Sequence, residues 1–173
     1  MKKIILLLLL HVGFTNAFSQ DRIYQQGFDE GVVYESWKIT KGKWYIARLE
    51  EKGIKPPEGE NNYALASAGD AEILIDIPVE SLDPEIPLIL SFTYWVHSKG
   101  SRGLAGLTFF NPRGDSLTSI NFRALPENRQ WDKFQQEFRV PKGTAVIRMK
   151  LGERAGGVPN TVYFKSIWIA RRR

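Results

Sequence analysis

The stretch Leu88-Ile89-Leu90-Ser91-Phe92-Thr93-Tyr94-Trp95-Val96-His97 decides the fold class. Leu88, Leu90, Phe92, Tyr94 and Val96 alternate with Ile89, Ser91, Thr93, Trp95 and His97, and a period of two sends the two sets to opposite faces of a β-strand. The same alternation returns downstream, where Ala145, Ile147, Met149 and Leu151 interleave with Val146, Arg148 and Lys150. Helical spacing with caps is not sustained anywhere. Bends punctuate the runs: Ser98-Lys99-Gly100-Ser101-Arg102-Gly103, Asn111-Pro112-Arg113-Gly114-Asp115, Pro141-Lys142-Gly143 and Gly156-Gly157-Val158-Pro159-Asn160. Glycine supplies positive φ there and proline presets φ near −65°. Eleven short segments read as strands, among them Trp37 to Thr40, Trp44 to Ala47, Tyr63 to Ser67 and Ala71 to Pro78. About nine are expected to form, two of the short ones dropping out. Many short strands between Gly/Pro turns imply an all-β sandwich or jelly roll. The stretch from Lys52 to Asn62, rich in Gly, Pro and Glu, is the longest irregular connection.

Upstream of this pattern the chain opens with Lys2 and Lys3, an apolar block from Ile4 to Leu10 and a small, polar close at Thr15-Asn16-Ala17-Phe18-Ser19-Gln20. That is the grammar of an export signal, and the apolar run is too short for a spanning helix, which needs ~20 residues. The expected organisation is a signal peptide over 1–19 and one β-sandwich domain over 20–173. Cleavage after Ser19 leaves Gln20 first; cleavage after Ala17 is the alternative. The expected location is the periplasm or exterior of a bacterium, because an exported chain with no cysteine suits that compartment better than a eukaryotic secretory route.

Losing the signal removes two lysines and no acid, so the formal charge falls from +5 to +3. There is no Lys/Arg stripe interleaved with aromatics, which excludes nucleic acid as the partner. Arg171-Arg172-Arg173 is a short cationic end. Without cysteine there is no disulfide and no thiol nucleophile, so stability must come from the core, for which about 150 residues suffice. His97 is the one histidine after the signal; alone it builds no zinc site of the usual kind, and no Gly-x-Ser-x-Gly elbow accompanies it. No cofactor is expected.

Phe28-Asp29-Glu30-Gly31, Trp37, Gly42-Lys43-Trp44 and Tyr63-Ala64-Leu65-Ala66-Ser67 resemble the opening of the jelly-roll carbohydrate-binding modules attached to bacterial cellulases and xylanases. Trp131 with Phe134, Phe138 to Thr144, Arg148 and Val162 to Ile167 are similar to the same family's ending. The resemblance covers most of the mature chain and implies a galactose-binding-like jelly roll that binds glycan without catalysing a reaction. The family often holds a structural calcium between an acid in the first loop and an Asp in the last strand. Asp29 or Glu30 matches the first position, but Lys165 stands at the second, and a cation there opposes Ca²⁺, so no metal is expected. The Phe-Asp-Glu-Gly opening and Leu90 to Tyr94 also look like adhesin-type domains, which implies the alternative of a structural module with a surface protein as partner.

The candidate ligand site follows from parity. With Leu90, Phe92, Tyr94 and Val96 inward, Trp95 and His97 project from the other face, and a Trp beside polar groups can stack on a sugar ring. Asn121, Arg123, Arg148 and Lys150 are the expected polar partners, together making one aromatic and cationic cleft for a polysaccharide. The competing reading is that Trp95 lies under a loop such as Lys52 to Asn62. Of Trp44 and Tyr45, one is expected in the core. Asp29, Glu30, Asp76, Glu137 and Glu153 show no spacing that promotes the two-acid pair of a glycosidase. Tyr94 falls on the opposite face from His97, which breaks a lyase-like His/Tyr/Arg set. Arg113-Gly114-Asp115 spells an adhesion tripeptide, but a hairpin turn explains it.

Overall fold

The structure is a computed structural model, and it describes residues 22–29, 36–79, 82–97, 100–128, 130–154 and 161–172. The expected export segment therefore lies outside the described residues, as do Glu30 and the 156–160 bend. The elements in chain order are β1 (Arg22–Gln26), β2 (Trp37–Arg48), a 3-10 turn (Glu50–Lys52), β3 (Tyr63–Pro78), β4 (Leu88–Val96), β5 (Arg102–Phe110), β6 (Ser116–Asn121), β7 (Asp132–Phe138), β8 (Val146–Arg154) and β9 (Val162–Arg171). Every pairing is antiparallel, in the order β6-β5-β8-β3-β9-β4-β7, with β1 on β9 and β2 on β3.

The two halves of this order are the layers of a jelly-roll sandwich. Residues 71–78 of β3 pair with β8, whereas Leu65 and Ala66 of the same strand pair with Phe164 and Tyr163 of β9. The inward residues of both layers share one core: Ile73, Ile75, Leu107, Phe109, Met149 and Leu151 from one, Leu90, Phe92, Val96, Phe164, Ile167 and Ile169 from the other. Phe92 stacks on Phe134 at 4.6 Å between centroids and meets Phe164 edge-on at 5.6 Å. Each such burial contributes roughly 1.5–3 kcal/mol. The deciding segment behaves as its alternation requires, since Leu88, Leu90, Phe92, Tyr94 and Val96 are all buried in the core.

Among the described residues nine strands form, but not by loss of the shortest segments. Trp37 to Thr40 and Trp44 to Ala47 fuse into β2, and Tyr63 to Ser67 and Ala71 to Pro78 fuse into β3. The cause is a matched pair of glycines with positive φ, Gly42 at 70° and Gly69 at 78°, which let both strands bend without ending. Between Lys41↔Glu72 and Lys43↔Ala68 the register jumps, the extra residues lying on β3, so Lys41-Gly42-Lys43 runs on through β2 opposite a bulge and is not the tight turn its sequence suggests. Trp44 packs against Phe164 at 6.2 Å, and Tyr45 is exposed. A second bulge resets β9. Ser166 adopts φ 49°, and the pairing steps from Ser91↔Trp168 to Thr93↔Lys165. Val162 and Phe164 face the core before it, Ile167 and Ile169 after it, and Lys165 turns away toward Asn61 and Tyr63.

Arg113-Gly114-Asp115 is the β5–β6 hairpin turn. The Asn111 Oδ1 accepts from the backbone N–H of Arg113 and of Asp115, each at 2.9 Å, and Gly114 takes φ 86°. The long connection after β2 is tied down by Leu49 N–H to Asn62 O at 2.8 Å and Ile54 N–H to Leu49 O at 2.9 Å.

Candidate functional site

On the outward face of the β2-β3-β8-β5-β6 layer, register decides which side chains meet. Gly106 pairs with Asn121 on one side and Lys150 on the other; Thr108 pairs with Ser119 and Arg148. Lys150 in turn faces Leu74, and Arg148 faces Asp76. Because Gly106 has no side chain, Asn121 and Lys150 overhang a groove of about 230 Å³ floored by it. A smaller recess of about 60 Å³ beside Ser36, Lys38 and Asp76 shares Leu74 and Arg148 with that groove. The strip crosses five strands, which at ~4.8 Å spacing makes it about 19 Å long.

The strip is polar yet internally neutralised. Arg148 donates from Nε and Nη2 to the two carboxylate oxygens of Asp76 at 2.6 and 2.7 Å, and its guanidinium lies 4.6 Å from the Phe110 ring centroid. The hydrogen bond from Arg148 holds the Asp76 carboxyl below its ordinary range, and the same bond raises Arg148. Lys150 Nζ lies 3.7 Å from Glu72, which also accepts from the Thr40 hydroxyl at 2.8 Å. Such a surface offers hydrogen bonds at fixed places with little net charge.

The six expected site residues do not form one cleft. Asn121, Arg148 and Lys150 converge in the groove. Arg123 lines a different recess of about 730 Å³ with Ser101, Arg102, Ala124, Pro126 and Glu127. Trp95 and His97 belong to the other layer, since β4 is separated from β8 by β3 and β9 and the sheet folds over at β3. Alternation identifies the outward residues of each strand, but it does not say that two outward faces are the same face. There Trp95 is half-buried, its ring 5.6 Å from Trp131 and 5.7 Å from His97. It packs with Trp131 against a second, smaller cluster of Ala47, Leu49, Ile54, Ala64, Ala66 and Tyr163. The Trp131 indole N–H donates to Lys55 O at 2.8 Å, and Leu49 and Ile54 belong to the cluster, so the 49–62 connection packs on this cluster beside Trp131.

Sequence reasoning missed Leu74, Thr108 and Ser119 as groove residues, Lys38 as a residue of the adjoining recess, and Asp76 as the partner of Arg148. No local signal marks them, because they meet Arg148 and Lys150 only through pairing across β2, β3, β5, β6 and β8. Tyr94 lies inward as parity requires; burial and its hydrogen bond to Asp132 at 3.1 Å push its hydroxyl up to about 12. Glu153 is fully buried, accepting from Ser67 Oγ at 2.6 Å and Ser101 Oγ at 3.0 Å, and burial raises its carboxyl.

Among the described residues no three of His, Cys, Asp and Glu cluster as metal ligands. The calcium position implied by the family resemblance does not fit a metal here, because the Lys165 ammonium already lies among the oxygens, 2.6 Å from Asn61 O and 2.8 Å from Tyr63 O. Among the described residues no helix is long and apolar enough to cross a membrane.

No protein-family model matches the chain, and no curated protein matches it by sequence. Solved structures do match its fold. The CBM22-1 xylan-binding domain of Paenibacillus barcinonensis Xyn10C is similar at TM-score 0.62 and 12% identity, over 87% of this chain and 94% of that one. The CBM22-2 xylan-binding domain of the same protein gives TM-score 0.59 and 15% identity, over 87% of this chain and 99% of that one. The enzymatically active domain of bacteriophage CBA120 tailspike protein 4 gives TM-score 0.64 and 12% identity, over 80% of this chain but only 20% of that one. The chain thus spans a fifth of the tailspike chain and nearly all of a single module. At these identities the likeness establishes the architecture: this chain has the jelly-roll fold of carbohydrate-binding modules.

Proposed function

We propose that the protein is an exported, non-catalytic glycan-binding module of a bacterial periplasm or exterior, and that its ligand lies along the outward face of the β2-β3-β8-β5-β6 layer. The observation that carries this is the convergence of Asn121, Arg148 and Lys150 over the bare backbone of Gly106 in a groove of about 230 Å³. A sugar chain presents hydroxyl pairs along an extended ribbon, and the strip answers with donors and acceptors already fixed by their own ion pairs. The fold of the solved xylan-binding domains supports the ligand class, and the residues 2–20 pattern supports export. The acids of the strip support binding rather than turnover. Asp76 is held by Arg148 and Glu72 by Thr40 and Lys150, which leaves no facing pair of free carboxylates among the described groove residues.

Trp95, with His97 and Trp131, forms a second reading of the site. Its half-exposed indole beside an exposed histidine supports a stacking platform on the other layer. Arg123 is the one candidate that lies with neither. Affinity gels containing xylan, β-glucan or galactan test the proposal with the chain from Gln20 onward. Retardation by at least one polysaccharide, weakened about tenfold or more in Asn121→Ala and Lys150→Ala, is the expected outcome. Free migration in every gel overturns the ligand class.

A further inference from the structure

Lys165 is 2% exposed, and all three ammonium donors are spent on oxygen: Asn61 O at 2.6 Å, Tyr63 O at 2.8 Å and Asn61 Oδ1 at 3.0 Å. A carboxylate oxygen of Glu60 lies 3.7 Å away and is itself buried without a hydrogen bond. Asn61 is oriented by donating its amide to Phe28 O at 2.6 Å and Asp29 Oδ1 at 2.8 Å, so a second carboxylate stands behind the first ring of ligands. Burial pulls the Lys165 ammonium below its usual range, and Glu60 and Asp29 oppose that pull.

Amide carbonyls, an amide side chain and carboxylates around one buried positive charge are the donor set of a hard cation. Here the charge arrives on a side chain, delivered by the Ser166 bulge that turns Lys165 out of the core. It fastens the end of the 49–62 connection and the segment after β1 to the last strand. We infer that the oxygen cage of Asn61, Tyr63 and Glu60 is a structural cation site whose resident cation is the Lys165 ammonium, and that shortening this side chain turns it into a site for a hard inorganic cation. The native protein then needs no dissolved ion for its fold, and chelators in its surroundings leave it intact.

Thermal melting with calcium chloride and with a chelator tests this on the chain from Gln20 onward. The native protein melts at the same temperature in both. Lys165→Ala in chelator melts lower by roughly 10 °C, the scale for stranding buried polar partners in a domain of this size, and millimolar calcium returns half or more of the loss. Lys165→Met, whose apolar stem fills the space, melts low and regains nothing. If Lys165→Ala does not fold unaided, refolding with and without calcium, followed by far-ultraviolet circular dichroism, reads the same recovery. The inference is overturned if Lys165→Ala melts like the native protein, or if calcium and sodium both fail to restore it.

Discussion

Arg148 and Asp76 face each other across the β8–β3 register and share two hydrogen bonds, at 2.6 and 2.7 Å, in the middle of the polar strip. The bidentate geometry fixes the guanidinium plane, so the arginine presents a rigid donor edge and not a mobile charge.

That pair makes a prediction about acid. The folded Asp76 pKa lies below the unfolded value of about 3.9, so its contribution is present above that pH and is lost as pH falls through the folded pKa. Asp76→Asn should flatten the fall of melting temperature below about pH 4. At neutral pH it should cost under about 1 kcal/mol, because the pair is partly exposed to water. Equal acid limbs in the two proteins would show that the pair contributes nothing.

Glu153 predicts the opposite slope. Its folded pKa is raised by burial, so its contribution is complete below the unfolded value of about 4.3 and declines as pH climbs through the folded one. Ser67 and Ser101 donate to different oxygens of Glu153, so Glu153→Gln keeps an acceptor for one hydroxyl, turns an amide donor toward the other, and carries no charge to desolvate. The melting-temperature difference, Gln minus Glu, should grow with pH and reach the equivalent of about 1 kcal/mol at neutrality. A difference independent of pH counts against an ionisable group at this place.

Gly42 is the most constrained glycine of the bend. An added Cβ would sit 2.7 Å from both Ala71 Cβ and Asp70 O, at φ 70°. Gly42→Ala should cost about 3 kcal/mol, the sum of the left-handed backbone penalty and overpacking. Gly59, at φ 76° with nothing within 4 Å of its Cβ position, isolates the backbone part, and Gly59→Ala should cost about 1 kcal/mol. Urea midpoints at constant slope measure both, and equal costs would remove the steric argument.

The two outward faces can be told apart. A Cβ at Gly106 would come within 3.1 Å of Ile120 O, 3.3 Å of Asn121 Oδ1 and 3.7 Å of Lys150 Cε, so Gly106→Ala should narrow the groove and reduce polysaccharide retardation severalfold, at a cost of about 1 kcal/mol from crowding the β6 backbone. Trp95→Ala should leave retardation intact while costing about 2 kcal/mol or more by emptying its place beside Trp131. The reverse result would move the ligand to the Trp95 layer.

The fold was legible because alternation is a local property. Leu88 to Val96 and Ala145 to Leu151 show their inward residues without help from any other segment. The bends at Gly42 and Gly69 were not, since a glycine between two short alternating runs looks the same whether it ends a strand or bends one. The site was legible only in part for a related reason. Asn121, Arg148 and Lys150 were recognised as outward residues and do meet, but Trp95 was assigned to them on parity alone, and parity carries no information about strand order. The partners Asp76 and Lys38 depend on β3 pairing with both β8 and β2. Lys165 stood out as the wrong charge for a calcium ligand, yet its cage was hidden because Asn61 and Tyr63 contribute backbone oxygens, which every residue has.

The bent strand β3 belongs to both layers, hydrogen-bonded to β8 along one half and to β9 along the other. No cut between the layers spares it. Peeling one layer away would tear ladder bonds in the other, so intermediates with a single layer intact gain no refuge. The sandwich should therefore melt as one cooperative unit, its amides in β8 and β9 exchanging with solvent by the same global opening.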